Sequence, residues 1–323
     1  MRHTLPRRPP LGGGTVTPDA PTRRAFLRAA AAVGGGATVG CLGNGGPDPA
    51  TQVENKRDAL SKYEDVKATL GEGYQTTAKY VRTDGGALGE VFVNFDAPSL
   101  DPTTPNAVLY TLTEDGVYEP LGCKWFVPAE EADSPPSLFG KEFRGPIESD
   151  VPFVPKHYAL HVWVYRDNPE GLFARYNPAV EPPSFVDDVE RARDAIGKYQ
   201  TGAKAQEAGY ANTEKCAPGD GGAYGVPFVR EGAVDSGGTD LGNPPVLLYR
   251  VTENWSYVLL GAEWYVPAEE ADEPPTMFGQ RFHDPAPAHS AKVDQPKHYG
   301  LHAWLFRANP AGMFAPYNPA FTC

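Results

Sequence analysis

The stretch PKHYALHVWVYRDNPEGLFARYNP, beginning at Pro155, returns almost residue for residue as PKHYGLHAWLFRANPAGMFAPYNP at Pro296. A chain that repeats itself over this length must fold twice in similar ways, which constrains its architecture more than any local propensity does. The correspondence runs well beyond this stretch. Lys62-Tyr63 matches Lys198-Tyr199 and Gly73-Tyr74 matches Gly209-Tyr210, both at an offset of 136; Leu109-Tyr110 matches Leu248-Tyr249 at 139, and His157 matches His298 at 141. The offset grows only through small insertions, so the copies are collinear. At roughly 130 residues each they are domain-sized, whereas stacking repeats run about 20–50 residues. The pattern predicts one domain over residues 55–181 and a second over 185–323, joined where Glu181-Pro182-Pro183-Ser184 interrupts it.

Within each copy a helix is expected first. Ala59, Leu60, Tyr63, Val66 and Leu70 fall at helical spacing, as do Val189, Ala192, Ile196, Tyr199 and Ala203. Strands follow. AVLYTL (107–112) and YEPLGCKWFVP (118–128) read as a hairpin because Asp115-Gly116 between them supplies turn chemistry, and 246–251 with 257–267 repeat it. The fold class expected is α+β: two homologous domains, each an N-terminal helix plus a mainly antiparallel sheet.

The last strand of each copy carries the chemistry. Side chains alternate along a strand, so His157, Ala159, His161 and Trp163 share one face while Tyr158, Leu160, Val162 and Val164 share the core face. His298, Gly300, His302 and Trp304 form the equivalent face of the second copy. The small residue between the imidazoles leaves an open pocket floor, as a ligand or metal site on a sheet requires; a sheet crowded by a covering loop has the same need. Two histidines fall short of the three or four ligands of a zinc site. Glu263, in GAEWYV, is the third ligand expected, since it points away from Trp264 and towards the histidine face. A divalent transition metal on Glu263, His298 and His302 is one reading, and histidines packed and hydrogen-bonded at the edge of a core are the other. In the first copy Lys124 replaces the glutamate, which makes Lys124, His157 and His161 a degenerate counterpart. Asn168-Pro169-Glu170-Gly171 and its equivalent at 309–312 suit tight turns. PPSLFG (135–140) and PPTMFG (274–279) are candidate lids over the histidine face, or rigid connections.

The N-terminus says where such a chain goes. Arg23 and Arg24 precede a short Ala/Gly-rich apolar run over 29–39, which reads as a twin-arginine export signal over residues 1–40. That run is about half the ~20 residues a membrane span needs. Thr38-Val39-Gly40-Cys41 resembles a lipobox, so Cys41 is the expected lipidation site, followed by a flexible tether within 41–54. Export and a lipid place the folded part on the outer face of the cytoplasmic membrane. Removing the six arginines and one aspartate of residues 1–40 turns 29 basic against 41 acidic residues into 23 against 40, about −17. That charge argues against nucleic acid or anionic lipid as a partner, and with the export signal it resembles secreted proteins of salt-loving archaea. Cys216 and Cys323 are both missing from the first copy, where Tyr80 and Pro182 stand, so a Cys216–Cys323 disulfide is expected in the oxidising setting. Cys123 is left as an unpaired, buried thiol. No Gly-x-Ser-x-Gly elbow and no phosphate-cradling glycine loop occurs.

The motifs GGALGEVFVN (85–94), VLYTL, GAEWYVP, PPTMFG, LHAWLFRANPAGMF and YNPAFTC together resemble a bacterial and archaeal family of exported proteins without an assigned activity. Its single-copy members read GMGEHWVN, LLYE, VEYVVP, PPxLFG, LHVWLWRDNPxGMF and WNPxVxC. The family's first histidine falls at Val91 and Pro227, its glutamate at Lys124 and Glu263, and its second histidine at His161 and His302. The resemblance implies a His-Glu-His set of which the second copy keeps two members and the first only one; either His157 and His298 replace the lost histidine or the ancestral chemistry has decayed. The reading that follows is a lipid-anchored, non-enzymatic surface protein that binds a small ligand or another cell-surface component. The alternative is a metal-binding protein or metal-dependent enzyme of the second copy.

Overall fold

The computed structural model describes residues 47–151, 153–212, 216–219, 221–230, 232–233, 237–286, 297–320 and 322. It is a mixed α/β chain dominated by two antiparallel sheets, with few and short helices. The predicted first helix is broken into α1 (Pro49–Glu54), α2 (Arg57–Leu60), a 3-10 turn at Ser61–Glu64, and α3 (Val66–Gly71). The part of the expected tether from Pro49 onward is thus helical. Asp48 caps it, accepting from the backbone N–H of Ala50 at 3.0 Å and Thr51 at 3.2 Å, Pro49 sits where a missing N–H costs nothing, and Val53 is buried. The second predicted helix divides in the same way into α4 (Val186–Ile196), a 3-10 turn at Gly197–Tyr199 and α5 (Gly202–Glu207). One device accompanies both breaks. The buried Tyr110 hydroxyl donates to the Tyr63 carbonyl at 2.6 Å, and Tyr249 does the same for Tyr199 at 2.6 Å. A strand tyrosine thereby satisfies the carbonyl that a continuing helix would have used.

The first sheet contains β1 (Gln75–Thr83), β2 (Gly86–Val93), β3 (Ala107–Leu112), β4 (Tyr118–Pro128), β7 (Arg144–Ile147) and β8 (His157–Val162), in the order β1-β2-β3-β4-β8-β7; β5 (Ser137–Leu138) and β6 (Lys141–Glu142) form a separate small hairpin. The second contains β9 (Tyr210–Asn212), β10 (Ala217–Gly219), β11 (Gly222–Arg230), β12 (Val246–Val251), β13 (Tyr257–Pro267), β16 (His283–Ala286) and β17 (His298–Ala303), in the order β10-β11-β12-β13-β17-β16 with β9 also on β11; β14 (Thr276–Met277) and β15 (Gln280–Arg281) are its small hairpin. Both predicted hairpins have the bounds read from the sequence. Gly116 turns the first at φ +77°, while in the second the exposed Trp255 takes up the left-handed conformation at φ +59°.

One hydrophobic cluster runs from Val53 to Phe314, gathering the core faces of both sheets. Trp125 and Trp264 anchor it, each donating its indole N–H to a loop carbonyl, Asp101 at 2.7 Å and Asp240 at 2.8 Å. The Leu-Phe-Gly and Met-Phe-Gly hairpins join this face: Phe139 meets Trp125 edge-on and Phe278 meets Trp264. These tryptophans point away from the histidines, so the candidate lids cover the opposite side of the sheet. The halves also interlock. Phe185 and Phe278 both pack on Phe314, and the Met313 N–H donates to the Gly116 carbonyl at 2.7 Å.

Candidate functional site

Glu263 lies directly opposite His302 across the β13–β17 pair, and Pro267 lies opposite His298. Opposed residues of an antiparallel pair share a face, so the register alone gathers the carboxylate and the imidazoles. Glu263 Oε1 is 3.7 Å from His302 Nε2 and 3.8 Å from His298 Nε2. Gly300 permits this approach, since a Cβ there would stand 3.0 Å from the same oxygen. The small residue thus makes room for the chain's own carboxylate rather than for an outside ligand. The open floor expected from the sequence is therefore sealed: Glu263, His298 and His302 are each 3% exposed.

Tyr224 on β11 completes the cluster. Its hydroxyl donates to Glu263 Oε2, and its ring meets that of His302 at 4.9 Å, edge to face. Burial, reinforced by the charge of Glu263, holds the phenol well above its ordinary pKa, so it stays a proton donor. The histidine contacts are of ion-pair length and too long for hydrogen bonds. Two imidazoles and a carboxylate are the donor types of a three-ligand zinc centre. Even so, among the described residues no group of three His, Cys, Asp or Glu side chains is arranged to hold a metal ion. Proton exchange between carboxylate and imidazole is the chemistry that the arrangement supports directly.

The first sheet repeats the register with different charge. Lys124 lies opposite His161, and Pro128 opposite His157. Lys124 is 6% exposed, and burial draws its pKa down to about 8, partly opposed by Asp150. His157 falls to about 4 and His161 well below its usual value, in each case by burial first and the neighbouring lysine second. Both imidazoles are neutral at pH 7. His157 Nδ1 lies 2.7 Å from the Pro155 carbonyl, which places the proton on Nδ1, and among the described residues neither Nε2 has a hydrogen-bond partner. Lys124 thus stands in this half where Glu263 stands in the other.

Arg23, Arg24, Cys41 and Cys323 lie outside the described residues. Cys216 is disulfide-bonded. Cys123 is a free buried thiol whose pKa burial pushes up to about 12.

Two features carry no motif in the sequence. The first is a buried ion pair between the halves: Arg193 on α4 reaches Glu90 on β2 at 3.1 Å, takes Glu190 at 2.9 Å, and donates through Nε to the Leu305 carbonyl at 2.8 Å. Thr76 donates its hydroxyl to the other Glu90 oxygen. The second is a cleft of about 1010 Å³ bounded by β1, α4, the start of β13 and the segment after β17. Arg193 forms part of its wall, beside a bulge of β1 where Ala78 is held at φ +53°. Strain at a non-glycine residue is concentrated at functional positions in folded proteins. The available signal was the break in spacing over QTTAK, where the alternation of β1 fails.

Comparison with known protein families, with curated proteins and with solved structures finds no match for this chain.

Proposed function

We propose that the chain is an exported, lipid-anchored binding protein, built by duplication of one α+β domain, whose small ligand occupies the cleft between the two sheets. The cleft carries this reading. Its volume of about 1010 Å³ is at the upper end of what small-molecule sites use, and both halves contribute to its walls. The family resemblance, the twin-arginine signal and Cys41 support the setting on the outer face of the cytoplasmic membrane. Among the described residues no helix is long and apolar enough to cross a membrane, so the lipid would be the attachment.

Gly197 provides the test. It lines the cleft in an ordinary helical conformation at φ −56°, and a Cβ there meets nothing within 4 Å. Gly197→Trp therefore fills the space without backbone strain. Native mass spectrometry of the chain purified from its own membranes is expected to show a bound small molecule that the variant lacks. Equal occupancy in both would remove the cleft from consideration.

A second reading, a metal or acid–base site on Glu263, His298 and His302, is favoured by the 3.7 and 3.8 Å approaches to one carboxylate oxygen. Metal analysis of residues 42–323, purified in high salt without chelator, decides it. The reading requires about one transition-metal ion per chain, lost in His302→Ala; no metal in the unmodified protein leaves the cluster as a buried polar network.

A further inference from the structure

The first sheet buries an amine where the second buries a carboxylate. Lys124 is 6% exposed and makes no hydrogen bond or ion pair among the described residues. The acid whose charge reaches it, Asp150, is already held by Arg175 at 2.6 Å and accepts from the Tyr176 hydroxyl at 3.1 Å. The register sets Lys124 opposite His161 and Phe126 opposite Ala159, the small residue that separates the two imidazoles. Lys124 Nζ lies 5.7 Å from the centre of the Phe126 ring, which in turn meets the His157 ring at 5.3 Å. The amine thus reaches along the face from His161 towards His157. Among the described residues, both imidazole Nε2 atoms there are buried without a partner, and Phe126, Ala159, Val151 and Val154 belong to one apolar cluster. A buried polar group left unpartnered is costly, and three at one place call for a cause.

We propose that Lys124 is a carbonyl-capturing amine, which forms an imine with a small uncharged aldehyde or ketone. A lysine desolvated among apolar side chains is an activated nucleophile, and burial draws the Lys124 pKa down to about 8. The nitrogen lone pair attacks the carbonyl carbon, and a C–N bond forms as the C–O π bond breaks. The two amine hydrogens then leave with the carbonyl oxygen as water, so the step needs no oxidant or reductant. The surroundings select the partner: the apolar side chains and neutral imidazoles offer no charge to a carboxylate or phosphate, and Arg175 is taken by Asp150. Lys124 is not part of the cleft wall, so this is a second and covalent site, independent of the cleft reading. Glu263 holds the equivalent place in the other half and has no amine to offer, which gives the two copies different chemistry.

Competitive labelling of the full mature chain tests this. Acetaldehyde with limiting sodium cyanoborohydride at pH 7 turns each imine into a stable N-ethyl mark, and peptide mass spectrometry reads every lysine at once. The exposed Lys67 and Lys198 are controls within the same molecule. The neutral fraction of an amine at pH 7 differs about 300-fold between a pKa of 8 and the ordinary lysine value of 10.5, so even with restricted access Lys124 is expected to be marked at least about tenfold faster than the controls. Its rate is expected to level off above about pH 8. Marking of Lys67 and Lys198 with Lys124 left bare overturns the proposal, as does a Lys124 rate that still climbs steadily through about pH 10. Lys124→Met is expected to take up no early equivalent by intact mass; an early equivalent in that variant places the reactive amine elsewhere and overturns the proposal too.

Discussion

Arg193→Met is expected to destabilise the protein by about 3–5 kcal/mol, the loss typical when one partner of a buried ion pair is removed. The Arg193 and Glu90 side chains are 5% and 1% exposed. Without the guanidinium, Glu90 would keep the Thr76 hydroxyl but would hold a charge in a dry interface with no cation, and the Leu305 carbonyl would lose its donor. The double variant Glu90→Leu with Arg193→Met removes both charges and is expected to recover much of the loss, since well-packed apolar replacements of buried pairs are often neutral. Urea unfolding of the two single variants and the double, in high salt, measures the coupling as a double-mutant cycle. A loss below about 1 kcal/mol for Arg193→Met, or strictly additive variants, would show that the pair does not join the halves. Glu190 provides an internal control: it is half-exposed and shares the same arginine, so Glu190→Gln should cost far less, within the range of exposed pairs at about 0–1 kcal/mol.

Acid is expected to unfold the first sheet's histidine face by charging it. His157 has a native pKa of about 4 against 6.5 unfolded, so the native state binds fewer protons than the unfolded chain between these values. The stability from keeping it neutral is complete above pH 6.5 and is lost as pH falls through 4. The shift corresponds to about 3 kcal/mol. His161 shifts in the same direction, again through burial first, and adds to the loss. Lys124 has the same sign at higher pH: its native value of about 8 lies below the ordinary lysine value of 10.5, so stability rises as pH climbs through that window. Urea midpoints at pH 7, 5 and 4 for the unmodified chain and for His157→Gln with His161→Gln isolate the contribution. The variant is expected to lose about 3 kcal/mol less over that range. Superimposable pH profiles would mean that the carboxylates alone set the acid limit.

Much of the architecture was legible because the signals were local. Asp115-Gly116 fixed a hairpin, period-two alternation fixed the faces of β8 and β17, and the side opposite Trp264 gave the face of Glu263, while its register against His302 came only with the fold. The helices were less legible, because their breaks depend on Tyr110 and Tyr249, strand residues far along the chain whose hydroxyls reach back to the helix ends. The pocket floor was misread for a similar reason. Gly300 signals that something must approach closely, and only the fold shows that it is Glu263. Tyr224 was invisible because its counterpart in the first sheet is Leu88, and no comparison within the chain could mark it. Arg193 and Glu90 stand about a hundred residues apart, joined by no pattern.

Helix α4 is made after the whole first sheet, yet it covers that sheet. Val186 belongs to the hydrophobic cluster that holds Tyr80 and Val81, and Arg193 neutralises Glu90. A chain synthesised from its N-terminus must therefore hold an unfinished sheet, with an uncompensated buried acid and an apolar strand face, until the segment from Val162 to Arg193 has emerged. The second half then completes the first before it completes itself. Each half so joined lends the other a wall, and a cut at the proline junction would part Arg193 from Glu90 and Phe314 from Gly116 in one stroke.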